Sequence, residues 1–208
     1  MQYKSTERCD RMSKYDNVIG IAHDNEGVVT SKEITEQNIP RRILTEMVQK
    51  DMLVKESRGM YFLPDAWDDE WMMIQYRYSK GIYSHETALY LHGYTDRTPA
   101  SFVMTFPRGY HRRNDETVLI KEKHAVMNIY ELGIADLESP AGNLVKAYDL
   151  EKCLCDIVRS NKDFDVEIVN AAMKKYAQDP NRNVNKLMKY AKILKVEAKI
   201  RNYMEVLL

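Results

Sequence analysis

Between residues 18 and 63 the stop, cap and turn signals follow one another so closely that only short elements fit between them. Val18, Ile21 and Ala22 recur at helical spacing, and Gly27 supplies a C-terminal stop. Val28-Val29-Thr30 is apolar and β-branched, a very short strand. Thr30 is followed three residues later by Glu33, the capping-box spacing in which each side chain satisfies a backbone N–H of the other at a helix start. A second helix is therefore expected over about 31–37. After an Asn38-Ile39 turn, Pro40 suits the first position of a third helix, where its missing N–H costs nothing, and that helix is expected to run to about Asp51. Leu53-Val54 and Tyr61-Phe62-Leu63 flank the polar stretch Glu56-Ser57-Arg58-Gly59, which reads as a hairpin.

Helix, short strand, helix, tight turn, helix, hairpin is the order of a winged helix-turn-helix, a domain expected over residues 1–66. A helical wheel of 40–51 places Ile43, Leu44, Met47 and Val48 on one face and Arg41, Arg42, Thr45, Glu46 and Gln49 on the other. Arg bonds guanine bidentately, Gln does the same to adenine, and Thr touches the thymine methyl, so Arg41, Arg42, Thr45 and Gln49 have the side chains that direct base readout uses. Lys32 at the start of the second helix, Arg58 at the hairpin tip, and Lys4, Arg8, Arg11 and Lys14 in the N-terminal tail are candidates for phosphate contact. Against this, residues 1–66 hold ten basic and eleven acidic residues, so the domain as a whole is not basic. A solvated helix face, or a winged helix that binds protein, remains the competing reading.

The full chain of 208 residues is 44% hydrophobic, enough to bury a core, and its 31 basic and 31 acidic residues cancel. Neutrality removes the simplest sign of nucleic-acid binding and leaves local charge to decide. Cys9, Cys153 and Cys155 form no CxxC pair and stand near no His at zinc-ligand spacing, which suits a reducing, cytoplasmic setting. No apolar run approaches membrane-spanning length, and neither metal nor cofactor is expected. The acidic stretch DAWDDEW, residues 65–71, reads as a boundary before a larger domain at 72–208.

That larger region reads as mixed α/β, making the whole chain α+β. A helix opens with Ser84 as N-cap, carries Ala88, Leu89 and Leu91, and stops at Gly93. Segments 101–106 and 117–122 read as strands around a basic loop with Arg108, Tyr110, His111, Arg112 and Arg113, a second candidate for phosphate contact. Residues 147–160 read as a helix with Leu150, Cys153, Leu154 and Ile157 inward. From Lys174 to Arg201 there are nine basic residues against two acidic ones, a local net of +7. A basic C-terminal helix is expected there, with Leu187, Tyr190, Ala191, Leu194 and Ala198 on one face and Lys189, Lys192, Lys195 and Lys199 roughly opposite. These four lysines and Lys186 are candidate contacts to a nucleic-acid backbone, with plain solubility as the alternative. His85, Glu86 and His92 lack the HExxH order, and Asp149, Glu151 and Asp156 suit capping and salt bridging better than a metal site. No GxSxG, phosphate-binding loop or dinucleotide fingerprint occurs, so no catalytic site is expected.

Three stretches, residues 27–65, GIYSHETALYLHGYTDRTP (81–99) and SPAGNLVKAYDLEKCLCDIVRS (139–160), resemble in order and spacing the AbiEi family, antitoxins of abortive-infection type IV toxin–antitoxin systems of bacteria. Lys152 stands where Arg is commoner in the YDLE segment. The resemblance implies a phage-defence protein with two tasks. An N-terminal winged helix would repress its own operon at an inverted-repeat operator, and a C-terminal domain would counteract a nucleotidyltransferase toxin without a stable complex. An enzyme acting on toxin or nucleic acid, and a stoichiometric protein-binding module, are the rival readings.

Overall fold

The computed structural model describes residues 3–66, 69–111, 119–160 and 165–207, with side chains from Lys14 onward. The fold is α+β, and the chain divides into two compact units, Met1–Glu70 and Trp71–Leu208.

The first unit runs α1 (Tyr3–Asp24), β1 (Val28–Thr30), α2 (Ser31–Glu36), α3 (Arg42–Val48), β2 (Val54–Ser57) and β3 (Met60–Phe62). The strands form an antiparallel sheet of order β1-β3-β2, with Phe62 opposite both Val28 and Val54. Ile34, Ile43, Leu44 and Met47 from α2 and α3 close on Val18 and Ala22 of α1, all essentially out of water. Each helix ends the same way. Glu26, Asn38 and Asp51 take left-handed φ values of 55, 56 and 54°, and the next amide reaches back to the last turn, Gly27 N to Ala22 O, Ile39 N to Ile34 O and Met52 N to Met47 O. These six-to-one bonds satisfy carbonyls that a helix end leaves bare.

The same devices correct the expected span of the third helix, Pro40 to Asp51. Pro40 and Arg41 lie before α3, where Ile43 N and Leu44 N bond Pro40 O and Arg41 O across a tight i→i+3 turn. At the other end the left-handed Asp51 turns the chain toward β2. α2 stops one residue short of expectation, with Gln37 as its C-cap.

In the second unit α4 (Glu70–Arg77), β4 (Ile82–Tyr83), α5 (His85–Leu91), β5 (Phe102–Pro107), β6 (Ile120–Ala125), α6 (Met127–Tyr130), β7 (Ile134–Glu138), β8 (Leu144–Tyr148) and α7 (Leu150–Arg159) are followed by α8 (Val166–Gln178), α9 (Val184–Ile193) and α10 (Glu197–Leu207). Its sheet has the order β6-β5-β4-β8-β7 and is mixed, with β5/β6 and β4/β8 parallel and the other pairs antiparallel. Trp71 packs its ring 5.2 Å from Tyr83 and 4.8 Å from Phe102, joining α4 to the sheet.

Three expectations are corrected here. The strand expected at 117–122 is β6, starting at Ile120, and residues 117 and 118 lie outside the described residues. The helix expected from 147 starts at Leu150, because Ala147 pairs with Tyr83 and Ala135 in the sheet and Asp149 then caps the helix. The basic C-terminal helix is two helices. Lys195 adopts φ 60°, Val196 N bonds Ala191 O, and past this break the inward residues are Ile200 and Met204 while Ala198 is exposed. α7 is buried from Glu151 to Val158, and Lys152 lies there with its ammonium 2.6 Å from Asp156 and 4.4 Å from the Tyr148 ring. A buried charge needs such a partner. Among the described residues no helix is long and apolar enough to cross a membrane.

Gly27 marks where the first unit is least forgiving. Its φ is 89°, its carbonyl accepts from Leu63 N at 2.8 Å, and a Cβ added there would fall 2.2 Å from that of Ala66. Gly27→Ala combines left-handed strain with overpacking and should lower unfolding stability by about 2 to 4 kcal/mol, read from the urea midpoint with an unchanged m-value.

Candidate nucleic-acid interface

The candidate face in the first unit begins at the junction of β1 and α2. Thr30 Oγ1 accepts from Glu33 N at 3.3 Å, Glu33 Oε2 accepts from Thr30 N at 2.8 Å, and Glu33 Oε1 accepts from Asn25 Nδ2 at 3.2 Å, so the capping box expected from the sequence is complete. Ser31 N donates to Gly59 O at 2.8 Å, which ties the β2–β3 turn to the start of α2. Ser57 pairs with Met60, leaving Arg58-Gly59 as the turn, and Gly59 has the positive φ, 87°, that this tight reversal requires.

On α3 the apolar side goes inward as expected, while Arg41, Arg42, Thr45 and Gln49 are exposed in a row along its outer side and N-terminal approach. Glu46 departs from the wheel. It is half-buried and accepts from the Tyr15 hydroxyl at 2.8 Å, and Lys50 lies over the same ring, 4.6 Å from its centroid. The acid of the helix is thus engaged with α1. Lys32 is exposed and lies 3.7 Å from Glu36, and Arg58 is exposed at the hairpin tip. Thr35 is a residue that the sequence reasoning missed. Its Oγ1 donates to Ser31 O at 2.7 Å and accepts from Arg41 Nε at 2.8 Å, bridging α2 to the residue that caps α3. Only the turn geometry brings these two together, since they stand six positions apart in the chain.

The basic candidates of the second unit separate into distinct environments. Arg108 is exposed beyond β5, next to Tyr110, whose ring stacks on Phe106 at 5.0 Å; Arg112 and Arg113 lie outside the described residues. Lys189 and Lys192 on α9, Lys195 at the break and Lys199 on α10 are exposed. Lys186 is not available in the same way. Its ammonium lies 3.1 Å from both Asp149 Oδ2 and Glu151 Oε2. Burial works against that charge, but the two carboxylates outweigh it and raise the lysine's pKa. The Tyr190 and Tyr176 hydroxyls donate to Asp149 and Glu151 at 3.1 and 3.2 Å.

Asp149 and Asp156 therefore do not share a site, because one caps α7 and pairs with Lys186 while the other pairs with Lys152. Ser84 stands at the start of α5, but its hydroxyl makes no cap bond; it accepts from Thr105 at 2.9 Å and lies 3.0 Å from His85 Nδ1. Cys153 and Cys155 are free and buried, and burial pushes the Cys155 thiol up to about 12. Among the described residues no group of three or more His, Cys, Asp or Glu is placed to hold a metal ion.

No protein-family model matches the chain, and no curated protein does. Among solved structures it is similar to the RV2827C protein from Mycobacterium tuberculosis, with a TM-score of 0.53 at 17% sequence identity, over 90% of this chain and 79% of that one. At that identity the likeness is one of fold alone.

His92 reports on the polar cluster of the second unit. Its Nε2 lies 2.9 Å from Tyr148 O, and burial lowers its pKa below 6.5 against the opposing pull of that hydrogen bond and of Asp149 and Glu151. The unfolded imidazole binds its proton near pH 6.5, so the unfolded chain takes up protons first as the pH falls. Stability carried by His92 is fully present above about pH 7 and is lost as the pH drops through 6.5 toward the folded value. His92→Gln, which keeps a donor for the Tyr148 carbonyl, should flatten the fall in urea midpoint between about pH 7.5 and pH 5.5 relative to the parent.

Proposed function

We propose that this chain is an antitoxin of a type IV toxin–antitoxin phage-defence system. It represses its own operon through the first unit and counteracts a nucleotidyltransferase toxin through the second. The element order of the first unit, with its three-stranded sheet and its α2–turn–α3, supports a winged helix-turn-helix in which β2–β3 is the wing. The observation that carries the DNA-binding reading is the outer row of Arg41, Arg42, Thr45 and Gln49, presented over a buried Ile43, Leu44 and Met47. α3 enters the major groove with this row, Lys32 and the wing residue Arg58 touch phosphates, and two copies read an inverted repeat.

The four exposed lysines 189, 192, 195 and 199, with Arg108, supply further backbone contacts. Lys186 leaves that set, since two carboxylates already hold it. The antitoxin task rests on the resemblance of residues 81–99 and 139–160, and it operates without a stable toxin complex, a cofactor or a catalytic step of its own.

The deciding experiment titrates the protein onto labelled DNA from upstream of its own gene and onto a shuffled fragment, at several salt concentrations. Phosphate contacts weaken with salt for every sequence, and specificity is the gap between fragments. A gap that survives near 0.15 M salt is the expected result, and equal binding of both fragments at every salt would overturn the repressor reading. Arg42→Ala should cost about 1 to 3 kcal/mol on the specific fragment and narrow the gap. Lys192→Ala should weaken both fragments alike and reduce the salt slope by about 1.

A further inference from the structure

Arg41 carries five N–H donors in a planar fork, one on Nε and four on the two terminal nitrogens. Its Nε–H is committed to Thr35 Oγ1 at 2.8 Å, and that hydroxyl in turn donates to Ser31 O at 2.7 Å, inside α2. A hydroxyl has one proton to give and lone pairs to receive, so both bonds form together and each fixes the other. Thr35 is itself held by the helix whose start carries the complete capping box and the Gly59 tether. The guanidinium is consequently oriented from α2, across the turn, before any partner arrives. What remains for a partner is the end-on edge formed by Nη1 and Nη2, which matches two acceptors side by side.

On the reading of α3 as the groove-entering helix, we infer that Thr35 is a positioning residue for sequence recognition. It presents the Nη1–Nη2 edge of Arg41 to the O6 and N7 acceptors of a guanine, and α2 thereby takes part in base readout without touching a base. The side edge of the fork, which includes Nε, is closed to the DNA by Thr35. Holding a long side chain beforehand removes the ordering cost that binding would otherwise carry, worth about two- to tenfold in affinity. Because a phosphate tolerates many approaches and a base edge tolerates few, that gain falls on the specific sequence.

The test uses the full chain on the upstream and shuffled fragments, with Thr35→Val, Thr35→Ser, Arg41→Ala and the Thr35→Val/Arg41→Ala pair. Thr35→Val keeps the shape and removes the hydroxyl. It should narrow the gap between fragments about two- to tenfold, leave the salt slope and the shuffled-fragment affinity unchanged, and have no further effect once Arg41 is alanine. Thr35→Ser should restore the parent gap. A Thr35→Val protein with an unaltered gap, a loss shared equally by both fragments, or a full loss in Arg41→Ala that Thr35→Val still deepens would each overturn the inference. Urea midpoints of all variants separate these outcomes from loss of fold. A parent protein that itself shows no gap would instead overturn the repressor reading, which keeps the two failures distinct.

Discussion

Thr30 is at once the last residue of β1 and the N-cap of α2, and the first unit is organised around that double use. Its backbone is in register with Met60 in the sheet, its side chain closes the capping box with Glu33, and the next amide bonds Gly59 O at the hairpin turn. The strand, the cap and the hairpin turn thus fix the start of α2 by bonds from three directions. The direction of α2 then sets the turn at Asn38, where the left-handed backbone and the Ile39 to Ile34 bond aim the chain into α3. The outer row of α3 inherits its orientation from these bonds, and Tyr15 secures the far side by receiving Lys50 and donating to Glu46. Small units bury proportionally little surface, so such directional bonds count for more in them than in large domains.

Asp149 plays a comparable part in the second unit. It follows the last residue of β8, accepts from Lys152 N at the start of α7, and takes Lys186 and Tyr190 from α9 on its other oxygen. Gly133 packs directly on this carboxylate, where a Cβ would come within 2.7 Å of it. One acid thereby joins the sheet, the buried helix α7 and α9. Asp149 and Glu151 do the capping and salt bridging that their spacing suggested, and Lys186, a candidate for phosphate contact from the sequence, is drawn into the same joint of the fold.

The two basic regions differ in how they are held. Arg41 is braced by Thr35, whereas Lys189, Lys192 and Lys195 are exposed on long flexible stems. A braced fork suits a partner with fixed acceptors, and loose ammonium groups suit a diffuse negative charge. On the proposed reading these are the two terms of DNA binding, one directional and one electrostatic, carried by different units of the chain.

Much of the first unit was legible in the sequence, because its signals are local. Thr30 with Glu33, and the periodic Ile43, Leu44 and Met47, act over three or four residues and need no distant partner. The second unit was less so. The mixed sheet, the capture of Ala147 by β4 and β7, and the division of the basic C-terminal segment at Lys195 depend on contacts between residues far apart in the chain. A helical wheel has no means of knowing that a helix stops, and so it placed Ala198 inward where Ile200 and Met204 are. The sequence by itself determined where α2 begins and which face of α3 is apolar, since caps and periodicity are short-range. Only the tertiary structure decided which charges are spent and which are presented: Glu46 on Tyr15, Lys186 on Asp149 and Glu151, and Arg41 on Thr35. A charge's availability depends on what the fold brings within about 3 Å of it, and that distance is set by packing rather than by residue type.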